Sequence, residues 1–139
     1  MVVDDEPDIL EFIEYNLKRE GYHVVLATNG QEAIDKAKTE KPDLILLDVM
    51  MPVLDGIETC KTIRTITELK NTFVVFLTAR SEEYSELAGF SAGADDYIAK
   101  PIKPRVLLSR INAIIRRKEK DKREDHIQVG NIIIDRESF

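Results

Sequence analysis

Apolar positions along this chain come in two rhythms. From Pro7 onward, Ile9, Phe12, Ile13 and Leu17 recur at helical spacing until Gly21 stops the pattern. Pro7 suits a first helical position, where the missing N–H would have had no partner anyway. Residues 22–27 are apolar and partly β-branched, which predicts a strand; Asn29-Gly30 predicts a turn. Ala33, Ile34 and Ala37 then mark one face of a second helix, and Lys41-Pro42-Asp43 breaks it. Residues 44–48 behave differently. Leu44, Ile45, Leu46 and Leu47 run on without alternation and end in Asp48, as expected of a strand covered on both faces.

The same alternation continues downstream. A helix is expected near residues 57–69, a strand over 73–77, and a helix over about 82–91 with Ser81 as its cap and Gly93 closing it. A short strand follows over 94–99, and Pro104 opens a last helix with Leu107, Leu108, Ile111, Ile114 and Ile115 on one stripe. Five strands alternating with five helices imply parallel pairing through right-handed crossovers, with helices on both faces. The expected fold class is α/β, a doubly wound five-stranded parallel sheet of the flavodoxin-like order 2-1-3-4-5. Only three residues precede Asp4, so the first strand is short and suggests a trimmed start.

Residues 116–125 contain no apolar side chain, which predicts a helix end running into a charged linker over 118–125. Beyond it, Ile127 to Asp135 reads as a hairpin or strand pair with no further strand to pair with, so residues 126–139 are expected to begin another domain.

Composition narrows the function classes. With 43% hydrophobic and 33% charged residues, the 139-residue chain can build one ordinary globular core and not two. A net charge of −6 argues against this chain holding nucleic acid by itself, because phosphate backbones are bound by an excess of lysine and arginine. No apolar run approaches the ~20 residues that span a bilayer, and no signal peptide is visible, so no membrane partner is expected. The single cysteine, Cys60, allows no internal disulfide and fits a cytoplasmic protein.

Chemistry concentrates at strand ends. In an open parallel sheet, ligands bind beyond the carboxyl ends of the strands where the order reverses, and Asp4, Asp5 and Asp48 lie there. Three carboxylates packed together repel unless a cation joins them, and a small oxygen-only set suits magnesium. The next strand ends in Thr78-Ala79, adding a hydroxyl; the one after is followed by Lys100-Pro101, adding a point positive charge. Acids, hydroxyl and ammonium on neighbouring strand ends would surround a phosphoryl group, with Asp48 on the central strand as the nucleophile. Singly, these residues read as caps, turn residues or surface charges; together they place complementary chemistry on one edge.

Asp4-Asp5, Asp48 followed by Met51-Pro52 and Asp55-Gly56, Thr78-Ala79, and Gly93-Ala94-Asp95-Asp96-Tyr97 leading to Lys100-Pro101 resemble the receiver domain of two-component response regulators, over residues 1–117. The resemblance implies that Asp48 accepts a phosphoryl group from a sensor histidine kinase. It also implies that Asp5, Asp48 and the backbone carbonyl of Met50 hold Mg2+, that Asp4 acts through water, and that Lys100 pairs with the phosphoryl group. Thr78 would then move toward the phosphoryl oxygen and Tyr97 would turn inward, altering the face made by the fourth predicted helix, the fifth strand and the fifth helix. Lys100-Pro101 would be a cis peptide.

The segment Gly130 to Asp135 resembles the opening strands of an OmpR/PhoB-type winged-helix DNA-binding domain, which implies a transcription regulator that contacts DNA through a C-terminal domain largely outside this chain. Asp96, Arg110 and Arg117 match charged positions of that family's dimer face, which implies a homodimer on activation. Glu86 and Val106 depart from the pattern, removing one cross-dimer ion pair. Two other functions compete. A freestanding receiver that signals by binding another protein would not need residues 126–139. A haloacid dehalogenase-like phosphatase needs a second acid two residues after the nucleophile, and position 50 is methionine. A slow switch, not an enzyme turning over external substrates, is expected.

Overall fold

The computed structural model describes residues 1–51, 53–79, 92–124 and 135–136, with side chains as far as residue 117. In chain order the elements are β1 (Val2–Val3), α1 (Pro7–Arg19), β2 (Tyr22–His23), β3 (Leu26–Ala27), α2 (Gly30–Glu40), β4 (Leu44–Asp48), α3 (Gly56–Arg64), a 3₁₀ turn (Thr67–Leu69), β5 (Phe73–Thr78), β6 (Asp96–Ala99), α4 (Pro104–Glu124) and β7 (Asp135–Arg136). The main sheet has the order β3-β1-β4-β5-β6 and all its pairs are parallel. This is the expected doubly wound topology. The region expected as one strand over 22–27 is split: Leu26 and Ala27 pair with β1, while Tyr22 and His23 pair antiparallel with β7.

The unbroken apolar run of β4 divides cleanly between two cores. Leu44 and Leu46 point to one face, among Leu10, Ile13 and Leu17 of α1 and Leu107, Ile111 and Ile114 of α4. Ile45 and Leu47 point to the other, among Ala33, Ile34 and Ala37 of α2 and Cys60 and Ile63 of α3. Each such leucine or isoleucine, fully buried, contributes roughly 1.5–3 kcal/mol relative to exposure. The double coverage therefore anchors β4 firmly and fixes whatever sits at its end.

Helix ends follow the local chemistry. Asn29 and Asp55 cap α2 and α3, accepting from the backbone N–H of Glu32 and Glu58. Lys41 adopts a left-handed conformation (φ 48°) just before Pro42 and ends α2. The charged run, expected as a linker from 118, is helical as far as Glu124. Lysine, glutamate and arginine are good helix formers, and a helix already nucleated by a packed stripe extends at one hydrogen bond per residue without needing an apolar face. The expected helix over 82–91, its cap Ser81, and Glu86 and Pro52 lie outside the described residues, as does all of 126–139 apart from β7. No helix among the described residues is long and apolar enough to cross a membrane.

Candidate functional site

The strand ends converge as the spacing predicts. Asp4 follows β1 and is fully buried; Asp48 closes β4 and is 4% exposed; Thr78 closes β5 and is buried; Lys100 follows β6. Lys100 Nζ lies 3.1 Å from Asp4 Oδ2 and 3.4 Å from Asp48 Oδ1, joining strands that are neighbours in the sheet to one that is two places away. Glu6 Oε1 is 3.8 Å from the same ammonium. Thr78 is set opposite Ala99, and its carbonyl accepts from the backbone N–H of Lys100, so the hydroxyl and the ammonium belong to one hydrogen-bonded strand pair. The Lys100-Pro101 bond is cis, as the resemblance implies.

Electrostatics follow from this burial. The Asp48 carboxyl is pushed up to about 6, first by loss of water and then by the neighbouring Asp4 charge, against the pull of Lys100 and a backbone hydrogen bond at Met50. Burial alone would lower Lys100, but the Asp48 and Asp4 carboxylates override it and raise its affinity for a proton. The result is an ammonium whose charge the two carboxylates favour, beside a carboxylate held in a poor solvent for charge. Both conditions favour a reaction that spreads negative charge over incoming oxygens.

Carboxylate oxygens of Asp4, Asp5 and Glu6 lie within 4.8 Å of one another. Hard oxygen donors at that spacing, with Asp5 and Glu6 open to solvent, suit a small divalent cation that keeps some of its waters. Asp48 meets this group through Lys100 and does not itself belong to it. Sequence reasoning missed Glu6, which precedes Pro7 and reads as a helix-cap position; its backbone N–H donates to Asp4 Oδ1 at 2.9 Å.

The loop after Asp48 is shaped by two unusual residues. Gly56 is required by close approach: a Cβ there would lie 2.2 Å from the Asp48 carbonyl oxygen. Val53 sits at φ 70° and is 87% exposed, a conformation that a β-branched side chain tolerates poorly. Met50 is exposed at its side chain. Tyr97 is half-buried in β6, opposite Phe76, against the α2/α3 side of the sheet. Arg110 reaches both oxygens of Asp96 in the same chain, at 2.9 and 3.0 Å, and Arg117 lies 5.8 Å over the Phe73 ring. The three residues matched to a dimer face already hold partners within the chain, Asp96 and Arg110 each other and Arg117 the Phe73 ring.

The family model for the response regulator receiver domain matches residues 1–112. This chain belongs to the response regulator receiver family. The receiver is 46% identical over 144 residues to the alkaline phosphatase synthesis transcriptional regulatory protein PhoP of Bacillus subtilis, covering 96% of this chain and 59% of that relative. The chain thus spans about 59% of that relative's length. Among solved structures it resembles the chemotaxis protein CheY4 of Vibrio cholerae, with a TM-score of 0.79 and 33% identity over 81% of this chain and 94% of that one. It also resembles a CheY-like receiver of Methanospirillum hungatei, with a TM-score of 0.81 and 30% identity over 86% of this chain and 94% of that one. This is therefore the receiver of a PhoP-like two-component response regulator, a signalling switch in class.

Proposed function

We propose that this receiver is switched by transfer of a phosphoryl group from a phosphohistidine of a sensor histidine kinase to Asp48. A carboxylate oxygen of Asp48 attacks phosphorus, the new O–P bond forms as the N–P bond breaks, and the electron pair leaves with the imidazole. Lys100 Nζ, already between Asp4 and Asp48, neutralises phosphoryl oxygens, and the Thr78 hydroxyl donates to one of them. On the family resemblance Asp5, Asp48 and the Met50 carbonyl would hold Mg2+ with Asp4 acting through water, although Asp5 groups here with Asp4 and Glu6 and not with Asp48, so binding in that way would draw Asp48 toward Asp5. Bound there, the ion supplies further charge neutralisation on the same oxygens.

The observation that carries this reading is the bridging of two buried carboxylates from different strands by one ammonium. A structural salt bridge needs one acid per base. Here two buried acids share one ammonium, which leaves negative charge uncompensated in the metal-free protein, a cost that a bound cation or modification of one acid would relieve.

The modified Asp48 would act through Thr78 and Tyr97 on the face formed around β6 and α4, promoting homodimerisation and DNA binding by a C-terminal domain. The relative's description as a transcriptional regulatory protein favours this output over a freestanding receiver. The absence of an acid two residues after Asp48, where Met50 stands, favours slow self-hydrolysis over turnover of external phosphoesters. Incubation with Mg2+ and acetyl phosphate should add one phosphoryl group by intact mass, and Asp48→Asn should take none. Equal labelling of both proteins would sink the assignment.

A further inference from the structure

We infer that Arg64 is a positioning residue for the switch: from the end of α3 it clamps the base of β5 and β6, so that displacement at Thr78 reaches Tyr97. The inference rests on the reading above, in which Thr78 and Tyr97 report the state of Asp48.

The guanidinium addresses three acceptors on two separate stretches of chain at once. Nε donates to the Gly93 carbonyl at 2.8 Å, one terminal nitrogen donates to the Thr72 carbonyl at 2.7 Å, and the other to Asp95 Oδ2 at 2.9 Å. That same Asp95 oxygen accepts from the Val74 N–H at 2.8 Å, and the Asp95 N–H donates to the Val74 carbonyl at 2.8 Å. One turn earlier on α3, Cys60 Sγ lies 3.3 Å from the Ala92 carbonyl. Gly93 is at φ +98°, and a Cβ there would come within 2.9 Å of Arg64 Cγ, so the backbone is bare where the arginine crosses it. The Arg64 side chain is 22% exposed and its bonds to the Gly93 and Thr72 carbonyls are partly buried, while Asp95 faces solvent, so the carbonyl contacts set this knot apart from a simple surface ion pair.

Its place in the sheet gives it a consequence. The knot grips residues 72–74 and 93–95, at the start of β5 and β6, whereas Thr78 and Lys100 stand at the opposite ends of these strands. Six strand residues separate the two edges by roughly 17–20 Å. Two neighbouring strands held together at one end cannot slide past each other, so movement at the other end must be taken up by tilting about the held end. Tyr97, between Asp96 and Thr78's partner strand position Ala99, lies on the segment that tilts. A lysine in this place could serve one acceptor well but not three in fixed directions.

The test uses the full chain and its Arg64→Ala, Arg64→Lys and Asp95→Asn variants, each labelled with fluorotyrosine and treated with Mg2+ and acetyl phosphate. Intact mass reads phosphoryl acceptance, and the fluorine signal of Tyr97, assigned by Tyr97→Phe, reads the switch. Arg64→Ala should accept the phosphoryl group at a rate within about twofold of the parent, while the phosphorylation-dependent shift of Tyr97 falls by about threefold or more. Arg64→Lys and Asp95→Asn should fall between, and they carry the test if Arg64→Ala does not fold. A full Tyr97 shift in the variants overturns the inference alone, and so does loss of acceptance in step with loss of the shift. A parent that takes no phosphoryl group, or takes it without moving the Tyr97 signal, overturns the underlying reading and this inference with it.

Discussion

At Asp48 the requirements of stability and of chemistry oppose each other. Its folded-state pKa of about 6 lies above the value of about 3.9 for an unfolded aspartate, so folding favours the protonated form. The sign follows: no cost is incurred below about pH 4, a cost accumulates as pH rises through 6, and the full cost is present at neutrality. Asp48→Asn should therefore stabilise the metal-free protein by about 1–3 kcal/mol at pH 7.5 and by almost nothing at pH 4, read from urea melts at the two pH values. A gain independent of pH would point to packing instead. Lys100 works the other way. Removing it as Lys100→Ala leaves two buried acids facing each other and should cost about 3 kcal/mol in the absence of metal. Millimolar Mg2+ should recover part of that loss, and the recovery should vanish when Asp5→Asn is added.

The β4–α3 connection carries the strain at the scale of elements. Val53 holds a left-handed backbone that glycine adopts freely, and its side chain is in solvent. Val53→Gly should raise stability by about 1 kcal/mol with no loss of packing. Gly56→Ala is the contrasting case: a methyl group would be driven into the Asp48 carbonyl, and either α3 or the acceptor must shift. A loss well above 1 kcal/mol in thermal melts, together with slower acetyl phosphate labelling, is expected. If the Val53 variant is stabilised but labelled more slowly, the strain serves the chemistry. The helix α4 shows how composition misleads at this scale, since a stretch with no apolar residue reads as linker although helical hydrogen bonding does not require an apolar face.

For the whole molecule, the residues proposed for a dimer face frame a further expectation. Asp96 and Arg110 pair within the chain in an exposed position, so breaking that pair should change stability by less than about 1 kcal/mol. Arg117→Glu should nevertheless weaken phosphorylation-dependent dimerisation in sedimentation equilibrium while leaving labelling intact; unchanged association would assign the dimer to another face. Much of the molecule was legible in the sequence because its chemistry lies where hydrophobic runs end. Asp48 follows four buried apolar residues, and Asp4, Thr78 and Lys100 close neighbouring strands, so periodicity alone located them. Glu6 and Arg64 were not legible for a shared reason. Each looks like an ordinary helix-end charge, and their partners are an ammonium 94 positions away and carbonyls 8 and 29 positions away, which no local pattern records. The division of residues 22–27 was hidden similarly, since both halves have the same composition and differ only in what lies beside them.

The ammonium at position 100 has one further implication. It meets acids 96 and 52 residues earlier in the chain, so the ion-paired cluster is complete only when β1, β4 and the end of β6 are all in place. Under the proposed transfer, a chain still emerging from the ribosome, or one whose β6 has come loose, would lack this ammonium beside Asp48 and should accept a phosphoryl group poorly. On that proposal, competence to receive the signal would certify completed assembly, through the same side chain proposed to take part in the transfer.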